Sequence, residues 1–185
     1  MKSLRELYRI GNGPSSSHTM GPVNAAKAFI SRNTGAVSIE VTLYGSLAAT
    51  GKGHLTDVAL KDSLKNYNLK IIWEPETFLP QHPNGMLFKS FDSTGNLMEE
   101  WLVFSTGGGA IDDLTSSPGS GDVYLIPSMD EALAQSASSG LPLWQHVMDV
   151  EGGSFLEYLE VVWNAMKKSI KSGLEKEGAL PGGLN

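Results

Sequence analysis

Residues 37–46, VSIEVTLYGS, carry the clearest strand pattern in the chain and decide its fold. Apolar side chains occupy every second position: Val37, Ile39, Val41 and Leu43. A period of two predicts a half-buried β-strand, because successive side chains of a strand point to opposite faces. Gly45 and Ser46 are expected to end this strand.

Helices and further strands are expected on both sides of this first strand. The helices are predicted at three places: from about Thr19–Gly21 to Arg32, at 47–50, and from a cap at Thr56 or Asp57 to about Leu64. Strands are predicted at three further places: 70–73, 86–91 and 97–105, the last two forming a hairpin around the Gly-containing turn 92–96. The pattern indicates an α/β (α+β) domain with a mixed β-sheet and packed helices.

The last third of the chain is predicted to be helical after a short strand at 123–126. Ser128 and Glu131 have the spacing of a capping box, which predicts a helix that ends before Gly140. A second short helix is expected at 143–150. Ser154 and Glu157 form another capping-box pattern, followed by a helix to about Gly173.

Composition excludes several classes of function. The chain has 185 residues, a formal net charge of -6 and no cysteine. A net negative chain without a basic stripe is not expected to bind nucleic acid. No apolar run approaches the roughly 20 residues of a membrane span, and no secretory signal is recognisable. We expect a cytoplasmic protein without disulfides.

Residues 11–22, GNGPSSSHTMGP, place hydroxyl groups and an imidazole directly before a predicted helix. The side chains concerned are consecutive: Ser15, Ser16, Ser17, His18 and Thr19. The backbone N–H groups at a helix N-terminus attract anions. This stretch therefore predicts a site for a carboxylate or a phosphate.

Three of the four histidines lie in polar loops framed by glycine or proline. They are His18, His54 and His82, and imidazole is the side chain best suited to proton transfer near neutral pH. His146, on a predicted helix, is interpreted as structural. The stretch lacks the Lys of a phosphate-binding loop, the histidines lack zinc-ligand spacing, and no Gly-x-Ser-x-Gly elbow supports a triad.

Taken together, these motifs resemble the β domain or β subunit of the iron–sulfur L-serine dehydratases (L-serine ammonia-lyases). The matching segments are, in order, 11–22, YGSLAATGKGHLTD at 44–57, HPNGM at 82–86, the glycines at 107–109, and EGALPGGL at 177–184. They cover essentially the whole chain. The resemblance implies a fold similar to the allosteric substrate-binding domain of D-3-phosphoglycerate dehydrogenase.

The resemblance also implies a reaction and a cofactor. These lyases convert L-serine to pyruvate and ammonia, in amino-acid degradation that supplies gluconeogenesis. Their [4Fe-4S] cluster is held by three cysteines of a separate α domain, and its open iron acts on the serine hydroxyl. Because this chain has no cysteine, it is expected to ligate no metal and to be inactive alone.

Site residues follow by position within the matching motifs. His54 is the expected general base, and His82 is expected to assist. Substrate-binding side chains are expected at six positions: Ser15, Ser16, Ser17, His18, Thr19 and Asn84. We interpret residues 1–175 as the β domain and 176–185 as the start of a linker to the α domain of a longer single-chain enzyme, which is expected to be a homo-oligomer.

Two other functions remain open at this point. The loop at Ser15–His18 could be the carboxylate pocket of an amino-acid-binding regulatory domain. Alternatively, the chain could be a structural subunit that docks a partner near Gly107–Gly109. Binding of L-serine by the chain alone distinguishes the regulatory domain from a site that a second domain completes.

Overall fold

The computed structural model describes residues 1–115, 121–126 and 128–178. It divides the chain into two compact units. The sheet unit comprises Gly11–Ser120, and the helical unit comprises Met1–Ile10 together with Gly121–Asn185. The predicted linker at 176–185 lies largely outside the described residues.

The sheet unit contains a five-stranded mixed sheet with the strand order β2-β1-β3-β4-β5. The strands are β1 (Ser38–Tyr44), β2 (Asn68–Glu74), β3 (Gly85–Phe91), β4 (Leu97–Gly107) and β5 (Ala110–Asp112). β1 pairs with β2 in parallel, and the other neighbours are antiparallel. The strand predicted from residues 37–46 is therefore an inner strand of the sheet.

Three helices of the sheet unit cover one face of the sheet. They are α1 (Gly21–Arg32), α2 (Gly45–Thr50) and α3 (Thr56–Ser63). Their apolar faces meet alternate strand residues in a single core: Ala25, Ala26, Phe29, Leu47 and Leu60 from the helices, with Ile39, Val41, Leu43, Met86, Phe88 and Val103 from the strands. The period-two pattern of β1 thus corresponds to one buried face.

The opposite face of the sheet carries charges in register. Glu40 lies opposite both Lys70 and Lys89, and Lys89 lies opposite Glu100. Salt bridges join Lys70 to Glu40 and Lys89 to Glu100, each at 2.8 Å. Cross-strand pairs of opposite charge support this register on the face that the helices leave uncovered.

The helical unit contains α4 (Met129–Ser139), α5 (Leu143–Glu151) and α6 (Phe155–Glu175). The Glu151 carboxylate anchors the N-terminal segment by accepting hydrogen bonds from Ser3 Oγ at 2.6 Å and the Leu4 N–H at 2.7 Å. Tyr124 donates a third bond at 2.7 Å. Burial opposes ionisation of Glu151, but these bonds outweigh it and lower the pKa of the carboxyl group.

Several sequence predictions are confirmed and others are wrong. The capping bond of Ser128 to the Glu131 N–H is present. Ser154 makes no cap bond, and its hydroxyl accepts from Arg5 instead. Residues 123–126 form no strand, and Lys2 and Asp122 make one isolated bridge. Strand β5 was not predicted, because three glycines precede it.

The predicted cap of α3 is also wrong. The residue before the helix is Leu55, which has a positive φ of 63° and no capping side chain. The Thr56 hydroxyl donates instead to the His18 carbonyl. Among the described residues, no helix is both long and apolar enough to span a membrane.

Candidate functional site

The segments that carry the predicted site residues meet at one end of the sheet. β1 ends at Tyr44, and β3, which runs in the opposite direction, begins at Gly85. β4 returns antiparallel to β3 and places Phe104 opposite Gly85. The loops after β1, before β3 and after β4 therefore lie side by side. A hydrogen bond from the Ser46 N–H to the Pro83 carbonyl, 3.0 Å, joins two of them.

The predicted anion loop forms one π-helical turn, Ser16–Met20, which continues directly into α1. The His18 ring is buried at this turn. Its Nδ1 lies 3.0 Å from Ser17 Oγ and 3.3 Å from Ser15 Oγ. The two serine hydroxyls are 3.3 Å apart. Hydroxyls and imidazole thus form one connected group.

The other side of the His18 ring faces α2. Its Nε2 lies 2.9 Å from Thr50 Oγ1 and 3.3 Å from the Ser46 carbonyl oxygen. Thr50 donates its own proton to that carbonyl at 2.9 Å, so its oxygen accepts from the ring. The network assigns the neutral ring a proton on Nε2 and leaves Nδ1 to accept from Ser17.

Burial lowers the pKa of His18 below the usual 6.5 of histidine, and the nearby His54 lowers it further, although the Ser46 carbonyl raises it. Desolvation disfavours the charged ring, and no carboxylate offsets this lowering of the His18 pKa. His18 is therefore neutral at pH 7. A neutral ring can accept a proton from a serine hydroxyl without repelling a proton on His54.

This lowered pKa predicts how stability depends on pH. Below a pH of about 6.5 the unfolded chain takes up a proton on residue 18 that the folded chain resists, so the free energy of unfolding falls as the pH falls. Urea unfolding at pH 7.5 and 5.5 measures the loss. A His18→Gln variant should lose less stability over this interval than the wild type, and equal losses would contradict the prediction.

His54 lies against His18 with ring centroids 4.7 Å apart and a tilt of 54°. Its backbone N–H bonds to the carbonyls of Thr50 and Gly51 at 3.1 and 3.2 Å, which fixes the loop after α2. A Cβ atom at Gly51 would lie 2.1 Å from the Leu47 carbonyl oxygen, so only glycine fits there. The His54 ring is half-buried and makes no hydrogen bond with any described residue.

His82 and Asn84 occupy the loop before β3. The Asn84 N–H donates to His82 Nδ1 at 3.1 Å, so the neutral ring carries its proton on Nε2. The Asn84 side-chain nitrogen donates to the Ser105 carbonyl at 3.3 Å. Its Oδ1 is buried without a partner among the described residues. Buried acceptors are seldom left unpaired, so this oxygen calls for a donor from a ligand or water.

Thr19 and Ser16 differ in how their hydroxyls are used. Thr19 is 2% exposed, and its hydroxyl oxygen lies 2.5 Å from the Asn12 carbonyl oxygen and 2.6 Å from that of Ser15, so the two carbonyls share its one proton. The Thr19 hydroxyl therefore holds the loop in shape. Ser16 is half-buried, and its hydroxyl has no hydrogen-bond partner in the described part of the chain. It is free to bind a ligand.

Two hydroxyls of this region were not predicted as site residues. Ser105 Oγ, on β4, donates to the Ser17 carbonyl at 2.7 Å. Thr56 Oγ1, at the start of α3, donates to the His18 carbonyl at 2.7 Å. Both residues are fully buried. The sequence offered one signal for them: Pro22 lacks the N–H that a helix would give one of these carbonyls.

The structure brings all three loop histidines into one chain of contacts. His54 touches His18, Ser17 bonds to Ser105, Ser105 bonds to Asn84, and Asn84 bonds to His82. Among the described residues, no group of three His, Cys, Asp or Glu side chains could hold a metal ion. The arrangement offers hydroxyls for an anion, an unbonded imidazole for a proton and an acceptor for a cationic N–H group.

Comparison with known proteins gives a consistent family. The sequence model of the family described as "Serine dehydratase beta chain" matches residues 3–69 and 61–116. The whole chain is 32% identical to "L-serine dehydratase TdcG" of Escherichia coli, of which it covers 52%. It is 29% identical to "L-serine dehydratase" of Haemophilus influenzae over all of the chain and 52% of that protein. The chain therefore spans about half the length of these curated relatives.

Proposed function

The chain belongs to the serine dehydratase beta chain family, and from this premise we propose that it is the β domain of an L-serine dehydratase. The proposed reaction converts L-serine to pyruvate and ammonia. We assign residues 1–175 to the β domain, and the family relatives support an enzyme of about twice this length. The domain supplies the substrate-binding and proton-transfer groups, and a further α domain completes the site.

One observation carries this proposal: the unbonded His54 ring lies 4.7 Å from the His18 ring, at the loop that presents the serine hydroxyls. An amino acid whose carboxylate is held at Ser15–Ser17 is thereby brought close to a proton acceptor. Elimination of water from L-serine needs both functions, since the Cα proton must be removed while the carboxylate is held in place.

Substrate binding is assigned to four side chains. The free hydroxyl of Ser16 donates to the carboxylate, and Ser15 and Ser17 lie beside it, with Ser17 giving its own proton to His18 Nδ1. The unpaired Asn84 Oδ1 accepts from the ammonium group of the substrate. These contacts satisfy both charged ends of an α-amino acid, which is why the site suits this class of substrate.

Proton transfer is assigned to His54, with His18 held neutral behind it. His54 accepts the Cα proton, the β-hydroxyl group takes up one proton and departs as water, and the resulting aminoacrylate takes up water to give pyruvate and ammonia. The elimination thus consumes as many protons as it releases. The atoms balance because the water lost in elimination is regained in hydrolysis. We assign to His82, which carries its proton on Nε2, an assisting role as a hydrogen-bond donor.

The iron–sulfur cluster implied by the family does not fit residues of this chain. Such clusters are held by thiolates, and the chain has no cysteine. Its described residues also offer no alternative cluster of metal-ligating side chains. We therefore assign the [4Fe-4S] cluster to the α domain, in a homo-oligomeric cytoplasmic enzyme.

Reconstitution tests the proposal. The chain and the α domain of its enzyme are produced together without oxygen, and pyruvate formation from L-serine is measured. We expect turnover by the pair and none by either part alone. An inactive pair whose α domain carries a full cluster would refute the proposed function.

Calorimetry with L-serine separates the proposal from a regulatory role. A site completed by a second domain should bind L-serine weakly or not at all in the chain alone. Tight binding by the chain alone, together with a reconstituted enzyme that keeps its activity when Ser16 is replaced by alanine, would favour an amino-acid-sensing domain. D-serine serves as the control ligand in both cases.

A further inference from the structure

The turn that carries Ser17 and His18 has a gap in its backbone hydrogen bonding. In an α-helix the N–H of residue 22 would bond to the carbonyl of residue 18, and in a π-helical turn to that of residue 17. Residue 22 is proline and has no N–H. One of the Ser17 and His18 carbonyls therefore lacks its helical donor, whichever helix type continues at this position.

Two buried hydroxyls donate to these carbonyls. Ser105 Oγ bonds to the Ser17 carbonyl and Thr56 Oγ1 to the His18 carbonyl, both at 2.7 Å. Both side chains are completely buried, so water cannot replace them. Since each hydroxyl comes from a different element, the turn is fixed from β4 on one side and from α3 on the other.

We propose that Thr56 and Ser105 are positioning residues of the active site, whose hydroxyls bind the His18 and Ser17 carbonyls, one of which lacks the Pro22 donor, and hold the His18 ring against His54. The inference rests on the proposed function for its catalytic consequence. Neither residue contacts the substrate in this assignment, and both act through the carbonyls of the serine–histidine turn.

The packing around Gly21 supports this role. A Cβ atom at residue 21 would lie 2.0 Å from Ser105 Oγ and 2.8 Å from Ser105 Cβ. Only glycine leaves room for β4 to approach the turn this closely. The pair Gly21-Pro22 therefore has two linked effects: proline removes the backbone donor and glycine admits the side chain that replaces it.

Each hydroxyl also joins the turn to a second site residue. Thr56 follows His54 by two residues, so its bond to the His18 carbonyl links the segments that carry the two rings. Ser105 exchanges two bonds with Asn84: its N–H donates to the Asn84 carbonyl at 3.0 Å, and its carbonyl accepts from Asn84 Nδ2 at 3.3 Å. Loss of either hydroxyl should therefore alter the relative positions of site residues.

A matched set of variants tests the proposal. Thr56→Val keeps the shape of the side chain but removes its donor, whereas Thr56→Ser keeps the donor. Thr42→Val, at a buried threonine of β1, is the control for the substitution itself. If Thr56→Val does not fold, Ser105→Ala serves as the second variant. It removes the other hydroxyl donor and changes the side chain by only one oxygen atom.

The first measurement uses the chain alone. Histidine ring resonances are followed by NMR from pH 5 to 8. In Thr56→Val and Ser105→Ala we expect the contact between the His18 and His54 rings to weaken and the apparent pKa of His18 to move towards that of an exposed histidine. Thr56→Ser and Thr42→Val should match the wild type. Unchanged His18 signals in folded Thr56→Val and Ser105→Ala would overturn the proposal.

The second measurement uses the reconstituted enzyme. A displacement of about 1 Å costs roughly 100-fold in rate, so kcat should fall about 10- to 100-fold in Thr56→Val with little change in KM. Thr56→Ser should restore most of the lost kcat. If the NMR shift occurs but kcat stays normal, positioning of the turn is supported and the catalytic assignment of that turn in the proposed function fails.

Discussion

Replacement of His54 by alanine should lower kcat of the reconstituted enzyme by about 100- to 10,000-fold, which is the usual contribution of a general base. The variant removes a half-buried ring with no hydrogen bond among the described residues, so the fold should tolerate the change. KM should change little, because the carboxylate is assigned to the serine loop. Initial rates of pyruvate formation, measured at several pH values, report both constants.

A matched control for this experiment is His146→Ala. His146 lies in the helical unit, where its Nε2 contacts Ser139 Oγ at 3.2 Å, and it has no assigned role in catalysis. It should retain wild-type kcat. A His54→Ala enzyme with normal turnover would remove His54 as the base, and His82 would then be the next histidine to replace.

The effect of His54→Ala on its neighbour gives an independent check. His54 contributes to the low pKa of His18, after burial. Without that ring, the pKa of His18 should rise slightly yet stay below its usual value, because burial is the larger cause. This readout needs only the folded chain and does not depend on the α domain.

The sheet unit follows closely from local sequence patterns. β1 was predicted at 37–44 and is found at Ser38–Tyr44, because a period of two matches the alternation of buried and exposed strand faces. α1 was predicted to begin at about Thr19–Gly21 and begins at Gly21. These elements depend mainly on residues within their own span.

Predictions about single hydroxyl groups were less successful. Ser128, Thr56 and Ser154 all resemble helix caps in sequence, yet only Ser128 makes the capping bond. Thr56 donates instead to a carbonyl of residue 18, and Ser154 accepts from Arg5. A hydroxyl can bond to many partners, and tertiary packing decides between local and distant ones.

The candidate site also contains residues that local sequence predicts and residues that only tertiary packing reveals. The three histidine loops were recognisable from their polar, glycine- and proline-framed context and from the resemblance to a family. Ser105 was not, because it lies within a mainly apolar strand and its partner is 88 residues away. Pro22 indicates that one carbonyl of the preceding turn lacks its helical donor, but not which residue supplies another. The assigned catalytic roles stay predictions until the variants are measured.

Phe29→Ala should produce the largest loss of stability, about 3–5 kcal/mol, as is usual when a fully buried aromatic side chain is removed. Phe29 is 0% exposed at the centre of the interface between α1 and the sheet. Its ring packs 5.4 Å from that of Phe88 and stacks on Trp101 at 6.2 Å. Native-state hydrogen exchange of β1 amides measures the free energy of opening of the sheet unit.

Phe78→Ala is the matched control, because the same side chain is 66% exposed there and its loss should cost well under 1 kcal/mol. Domains are typically stable by only about 5–15 kcal/mol, so Phe29→Ala removes a large fraction of that margin. This loss of stability should also affect the candidate site, since α1 begins at the turn that holds His18. If β1 amides exchange equally slowly in Phe29→Ala and Phe78→Ala, α1 does not pack on the sheet through Phe29, and the anchoring of the serine–histidine turn by this helix is wrong.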